Sequence, residues 1–167
     1  MKLVKPNVEY HDGIINYAKD FLASGNTYYY DKYKAAITDF DAYLTSLVNI
    51  SYDHNEGYQT YWLVNDDVIL GVVRIRYYND PEVGHIGYDI SPLHRKKGYG
   101  TLILQLALEK AKTLGHSEIF LTCNLDNNAS KRVIINNGGV YVGRIYRYSK
   151  GYYMDKYQIN LNIKTSS

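Results

Sequence analysis

Apolar positions along the chain change rhythm several times, and each rhythm predicts an element. Lys2 to Val4 reads as a short strand stopped by Pro6. Ile14, Ala18, Phe21 and Leu22 then recur at three- and four-residue steps, a helical stripe ended by Ser24-Gly25-Asn26. Tyr33, Ile37, Phe40, Leu44, Leu47 and Val48 form a second stripe, which predicts one helix capped by Asp31. The period then drops to two. Thr60 to Val64 predicts a strand, Asn65-Asp66-Asp67 a turn, and Val68 to Tyr78 its hairpin partner. In that partner Ile69, Gly71, Val73, Ile75 and Tyr77 share one face, and Arg74 and Arg76 the other.

Asn79-Asp80-Pro81 makes another turn, and Gly84 to Ile90 another strand. A helix from about Tyr99 to Leu114 carries Leu102, Ile103, Leu106, Ala107 and Leu114 inward, widened by Leu104 and Leu108. Lys110 and Lys112 suit the negative end of its dipole, and Gly115 ends it. Ile119 to Asn124 predicts a strand, Asn128 to Asn136 a short helix, and Val140 to Tyr146 with Tyr152 to Leu161 a closing hairpin. The order β-α-α-β-β-β-α-β-α-β-β predicts an α/β layered domain with a mixed sheet, a single domain over residues 1–167.

Composition narrows the function. Hydrophobic residues make up 46% and charged residues 22%, which are globular values. A net charge of +2 lacks the basic excess of a nucleic-acid binder, so no nucleic acid is expected as partner. No apolar run approaches the ~18 residues of a membrane span. The polar start of the chain lacks a signal-peptide core, so no membrane and a cytoplasmic location are expected. The lone Cys123 permits no disulfide within the chain and reads as a small core residue. Twenty tyrosines stand against three phenylalanines, so tyrosine fills positions that other chains give to phenylalanine or leucine.

The segment Ser91-Pro92-Leu93-His94-Arg95-Lys96-Lys97-Gly98-Tyr99-Gly100-Thr101 joins a strand to a helix. A helix N-terminus offers free N–H groups and about half a positive charge. Glycines 98 and 100 permit close approach, and Arg95, Lys96 and Lys97 add charge, so the segment suits a phosphate or pyrophosphate. It matches neither G-x-G-x-x-G nor G-x-x-x-x-G-K-S/T, which counts against a dinucleotide fold and a nucleotide triphosphatase.

Arg95-x-x-Gly98-x-Gly100 resembles the R/Q-x-x-G-x-G/A signature of the GNAT superfamily of N-acetyltransferases. Gly84 to Ile90 resembles that family's fourth strand, and Asn127-Asn128-Ala129-Ser130 with Asn137-Gly138-Gly139 its later helix; together these motifs cover residues 83 to 141. The chain also looks similar to a bacterial branch of predicted acetyltransferases. The resemblance implies a GNAT-type acyl-CoA N-acyltransferase fold, a mixed, mostly antiparallel central sheet flanked by helices. It implies acetyl-coenzyme A as cosubstrate, an amine on a small molecule or protein as acceptor, no metal, and a homodimer as a common assembly.

By the same resemblance, backbone N–H groups of Lys96, Lys97, Gly98, Tyr99, Gly100 and Thr101, helped by Arg95, hold the coenzyme pyrophosphate. Asp89 and Ile90 pair with the pantetheine arm, and Asn124, Asn127 and Ser130 line its other side. A backbone N–H of Tyr88, Asp89 or Ile90 steadies the negative charge that develops on the thioester oxygen. The sequence departs from the family pattern twice. The tyrosine expected seven residues after Asn127 is Ile134, and the glutamate expected early in the fourth strand is Gly84. His85 and Asp89 are the candidate bases in their place, with Tyr141 or Tyr146 as proton donor. A non-catalytic acyl-coenzyme A sensor is the alternative. The remaining histidines, His11, His54, His94 and His116, show no metal-ligand spacing.

Overall fold

The structure is a computed structural model, and it describes residues 1–162. Strands β1 (Lys2–Val4), β2 (Tyr58–Asn65), β3 (Val68–Asp80), β4 (Gly84–Ile90), β5 (Glu118–Asn124), β6 (Val140–Arg147) and β7 (Tyr152–Asn160) form one sheet. Its order is β1-β2-β3-β4-β5-β7-β6. The sheet is mostly antiparallel, with helices on both faces, as the family resemblance implies.

The second predicted helix is instead three: α2 (Thr27–Tyr33), α3 (Ala35–Thr38) and α4 (Phe40–Ser51), following α1 (His11–Ala23). Asp39 makes the break. Its extended backbone stops α3, and its carboxylate accepts the Ala42 N–H at 3.0 Å, capping α4. Asn26 caps α2, and Asp31 pairs with Lys34 instead of capping. The broken path exposes Ile37 and Val48 and buries Tyr33, Ala36 and Tyr43. On α1, Tyr17 takes the inward place expected of Leu22, which is exposed.

Alternation along β3 is also corrected. The β2–β3 register shifts between Leu63 and Val64, so Leu70 is an extra residue, a β-bulge. Ile69 and Val72 therefore pack with α1–α4, while Leu70, Val73 and Ile75 pack on the opposite face. There α5 (Tyr99–Thr113) buries Ile103, Leu104, Ala107, Leu108 and Ala111, and α6 (Asn128–Asn136) buries Ile134. Leu102, Leu106 and Leu114 sit at the margin of that core.

One feature of the sheet positions the site. β3 and β4 pair along most of their length, whereas β4 meets β5 only at Gly84 and Leu121. The late half of β4 thus has no strand beside it on the β5 side, and the sheet opens into a cleft.

Candidate active site

Behind the end of β4, a 3₁₀ turn over Pro92–His94 leads to Arg95 and then to Lys96 and Gly98, both with positive φ (62° and 84°). Gly98 stands at the N-cap of α5 and no side chain caps it, so the first N–H groups of α5 are left for another acceptor. Gly98 supplies this turn through its backbone, since an added Cβ would meet nothing within 4 Å. Gly100 serves packing: a Cβ there would lie 3.1 Å from Val133 Cγ2 on α6. Arg95 points back into the fold, donating from Nε to the Ile90 carbonyl at 3.2 Å and stacking its guanidinium over Phe21.

The opening between β4 and β5 is a cleft of about 510 Å³. Gly87 and Tyr88 of β4 line one wall, and Cys123 and Asn124 of β5 the other, with Asn127, the N-cap of α6, and Ser130 of that helix also lining it. The Tyr88 hydroxyl reaches across to Ser130 Oγ at 3.0 Å. Burial pushes the Tyr88 phenol up to about 12, so it keeps its proton at neutral pH. Asn127 spends its side chain capping α6 at Ser130 N–H, 3.1 Å away. Burial raises the Cys123 thiol to about 11, which leaves it protonated and a poor nucleophile.

Asp89 is a buried hub, 5% exposed. Its carboxylate accepts from Tyr17 Oη at 2.5 Å, Tyr33 Oη at 2.7 Å and Arg74 Nη2 at 3.0 Å, and Arg74 Nη1 also donates to Tyr33 Oη at 2.9 Å. Burial, first of all, holds both tyrosine hydroxyls well above their ordinary range, so they remain donors. With its oxygens committed to three donors, Asp89 is a structural anion, and the expectation that it acts as a base is corrected. The Asp89 carbonyl takes the Tyr17 hydroxyl at 3.1 Å, and Ile90 is buried in the core.

His85 is corrected as well. Its Nδ1 accepts the Phe120 N–H at 2.9 Å, its ring packs against Phe120 and His116, and it is not part of the cleft wall. Burial, with help from His116, Lys156 and Arg76, lowers its pKa to about 4. Tyr141 lies half-exposed on edge strand β6, edge-on to Tyr157, and Tyr146 is likewise outside this cleft. The structure therefore does not bring His85, Asp89 and Tyr141 together. Sequence reasoning missed the Tyr88 hydroxyl, although period-two alternation from the core position Ile86 marks it as sharing that face. It also missed Lys32, Arg147 and Lys150, which converge on the far end of the cleft from separate elements.

Among the described residues no helix is long and apolar enough to cross a membrane, and no group of three His, Cys, Asp or Glu stands ready for a metal.

The sequence pattern of the Acetyltransferase (GNAT) family matches residues 19–135. No curated protein matches the chain. Among solved structures, it is similar to Mycobacterium smegmatis RimJ in complex with CoA-disulfide, at 16% identity and a TM-score of 0.75 over 95% of this chain and 80% of that one. It is similar to the microcin C7 self-immunity acetyltransferase MccE in complex with acetyl-CoA and AMP, at 14% identity and a TM-score of 0.73 over 95% and 91%. The ribosomal-protein-S5-alanine acetyltransferase from Vibrio fischeri gives 18% identity and a TM-score of 0.68 over 96% and 92%. At these identities the likeness speaks to the fold.

Proposed function

The chain belongs to the acetyltransferase (GNAT) family, and on that premise we propose that it binds acetyl-coenzyme A through the β4–β5 opening and transfers the acetyl group to a primary amine by direct attack. The observation that carries this is the single β4–β5 strand pairing: it leaves the late half of β4 unpaired on that side and opens a cleft along a strand that leads on to the uncapped start of α5. RimJ with CoA-disulfide and MccE with acetyl-CoA, which share the fold, support the choice of ligand.

The residues present fit the ligand. The N–H groups from Lys96 to Thr101 offer an anion site for a pyrophosphate. Unpaired backbone groups of β4 suit an extended arm added like a strand. Asn124, Asn127 and Ser130 bound the other side. Arg95, spent on Ile90 and Phe21, shapes the turn more than it grips phosphate.

Acetyl-coenzyme A supplies a thioester carbonyl, and the chain's task is to steady the oxygen and manage two protons. A backbone N–H late in β4 donates to the oxygen as charge develops there. Tyr88 holds a proton that the departing thiolate can take. It replaces the tyrosine missing at Ile134, because its hydroxyl crosses from β4 to Ser130 on the same helix. With Asp89 and His85 committed elsewhere, the amine loses its proton to water in the open cleft.

Calorimetric titration with acetyl-coenzyme A, followed by thiol release on a panel of amines, tests the proposal. Saturable binding with thiol release is expected. Gly100→Asp should weaken binding, because it brings bulk against Val133 and charge to the anion site. Tyr88→Phe should lower kcat about 10²- to 10⁴-fold with coenzyme affinity kept. Binding without release on any amine would favour an acyl-coenzyme A sensor, and no binding would overturn the proposal.

A further inference from the structure

The cleft has a second end with a different character. Among the residues lining the cleft are Lys32, Arg74, Arg76, Arg147 and Lys150, and neither Asp nor Glu. None of residues 95–101 lines it, so this positive cluster is separate from the anion site at the start of α5.

Two of the five charges have partners: Arg74 is held by Asp89, and Arg147 Nε lies 3.7 Å from Glu82. Lys32, Arg76 and Lys150 form no ion pair among the described residues. Arg76 Nη1 is buried and makes no hydrogen bond. Burying such a donor unsatisfied is costly, and a bound anion is one partner that would satisfy it.

Gly87 sets the floor. A Cβ placed there would lie 3.9 Å from both Arg74 Nη2 and Arg76 Nη1, so the two guanidiniums converge above a residue that has no side chain to occupy the space. Tyr28 sets the rim: Lys32 Nζ and Lys150 Nζ each lie 5.8 Å from its ring centroid. The two lysines thereby flank one aromatic ring, with α2 on one side and the β6–β7 turn on the other. The crowding is felt by Lys32, whose pKa burial, then Arg74, lowers to about 8.

We propose that this end of the cleft is a subsite for an oxyanion, carboxylate or phosphate, carried by the acceptor amine, with Arg76 as its principal ligand and Lys32 and Lys150 closing over it. This rests on the transferase assignment above, and it narrows the acceptor to amines that bear a negative group. A polyamine or an unsubstituted alkylamine would meet repulsion here.

The test uses the full chain saturated with acetyl-coenzyme A, which fills the site at α5 and leaves the new one. Inorganic phosphate and acetate, in separate titrations at fixed ionic strength, are the probes, read by calorimetry. Saturable binding of at least one is expected, weakened about 10- to 100-fold by Arg76→Gln and less by Lys150→Gln, whose exposed turn position spares the fold. Phosphate binding alone or acetate binding alone names the group the acceptor carries. In parallel, amines paired by skeleton, each carboxylate or phosphate against its neutral amide or alcohol, are compared by kcat/KM. The anionic member should win, and Arg76→Gln should erase its advantage. Absence of saturable probe binding, binding indifferent to Arg76→Gln, or equal turnover of neutral partners would overturn the subsite while leaving the transferase intact. Failure to saturate with acetyl-coenzyme A would overturn both.

Discussion

The two faces of the sheet bury their side chains by different chemistry, and the face beneath α5 and α6 buries more of them. Beneath α5 and α6 the core is largely aliphatic, with Ile103, Leu104 and Ala107 set on Ile75, Ile86 and Leu121. Beneath α1–α4 it is aromatic, with Tyr17, Phe21, Tyr33, Tyr43 and Trp62 gathered around β2 and β3. The first face needs only complementary volume. The second directs two phenol hydroxyls and a guanidinium at one carboxylate, Asp89. Arg74 is held in this way beside Gly87, where the cleft begins. One face stabilises the fold, and the other also aims a charge.

Three substitutions probe that division. The largest effect is expected from Asp89→Ala, which strands the Arg74 guanidinium and two hydroxyls without an acceptor. Urea denaturation should show a loss of about 3–5 kcal/mol, and thiol release should fall with it. A loss below about 1 kcal/mol, the worth of an exposed ion pair, would mean that the hub is not a hub. A smaller effect, about 0.5–1.5 kcal/mol, is expected from Ile103→Val on the aliphatic face. Its acetyl-transfer rate should match that of the parent; a slowed enzyme would erase the contrast between the faces.

The smallest effect near neutral pH concerns His85. Folded, it titrates at about 4, and unfolded at about 6.5. Between those values the unfolded chain binds a proton that the folded chain refuses. The stabilisation is full above about pH 6.5 and fades as pH falls towards 4. His85→Gln should flatten the dependence of the urea midpoint on pH over that window. A wild-type midpoint that stays constant there would show that the ring is accessible after all.

Legibility in the sequence followed distance along the chain. β4, the loop and α5 are contiguous, and their strand, glycine and helix signals are local; Gly84–Ile90 and Asn128–Asn136 have the predicted ends. Where α3 gives way to α4 the apolar stripe runs on without a break, so the sequence predicts one helix capped at Asp31 and conceals the cap at Asp39; Tyr33, Ala36 and Tyr43 are the side chains that the broken path buries. The site was harder. Asp89 looks like a strand-end carboxylate until Tyr17, Tyr33 and Arg74, from three other elements, arrive around it. The positive end of the cleft is drawn from Lys32, Arg76, Arg147 and Lys150, and a chain with net charge +2 gives no hint that they converge.

The bulge at Leu70 carries a further consequence. Side chains in a strand have parity, and one inserted residue reverses it for everything downstream. Leu70 is what puts Val72 among the aromatics and lets Arg74 reach Asp89 while Ile75 faces α5. The hairpin is therefore sensitive to length before it is sensitive to identity. Exchanging Leu70 for another apolar residue keeps the parity, whereas deleting it would turn two guanidiniums towards the aliphatic core and Ile75 towards the cleft.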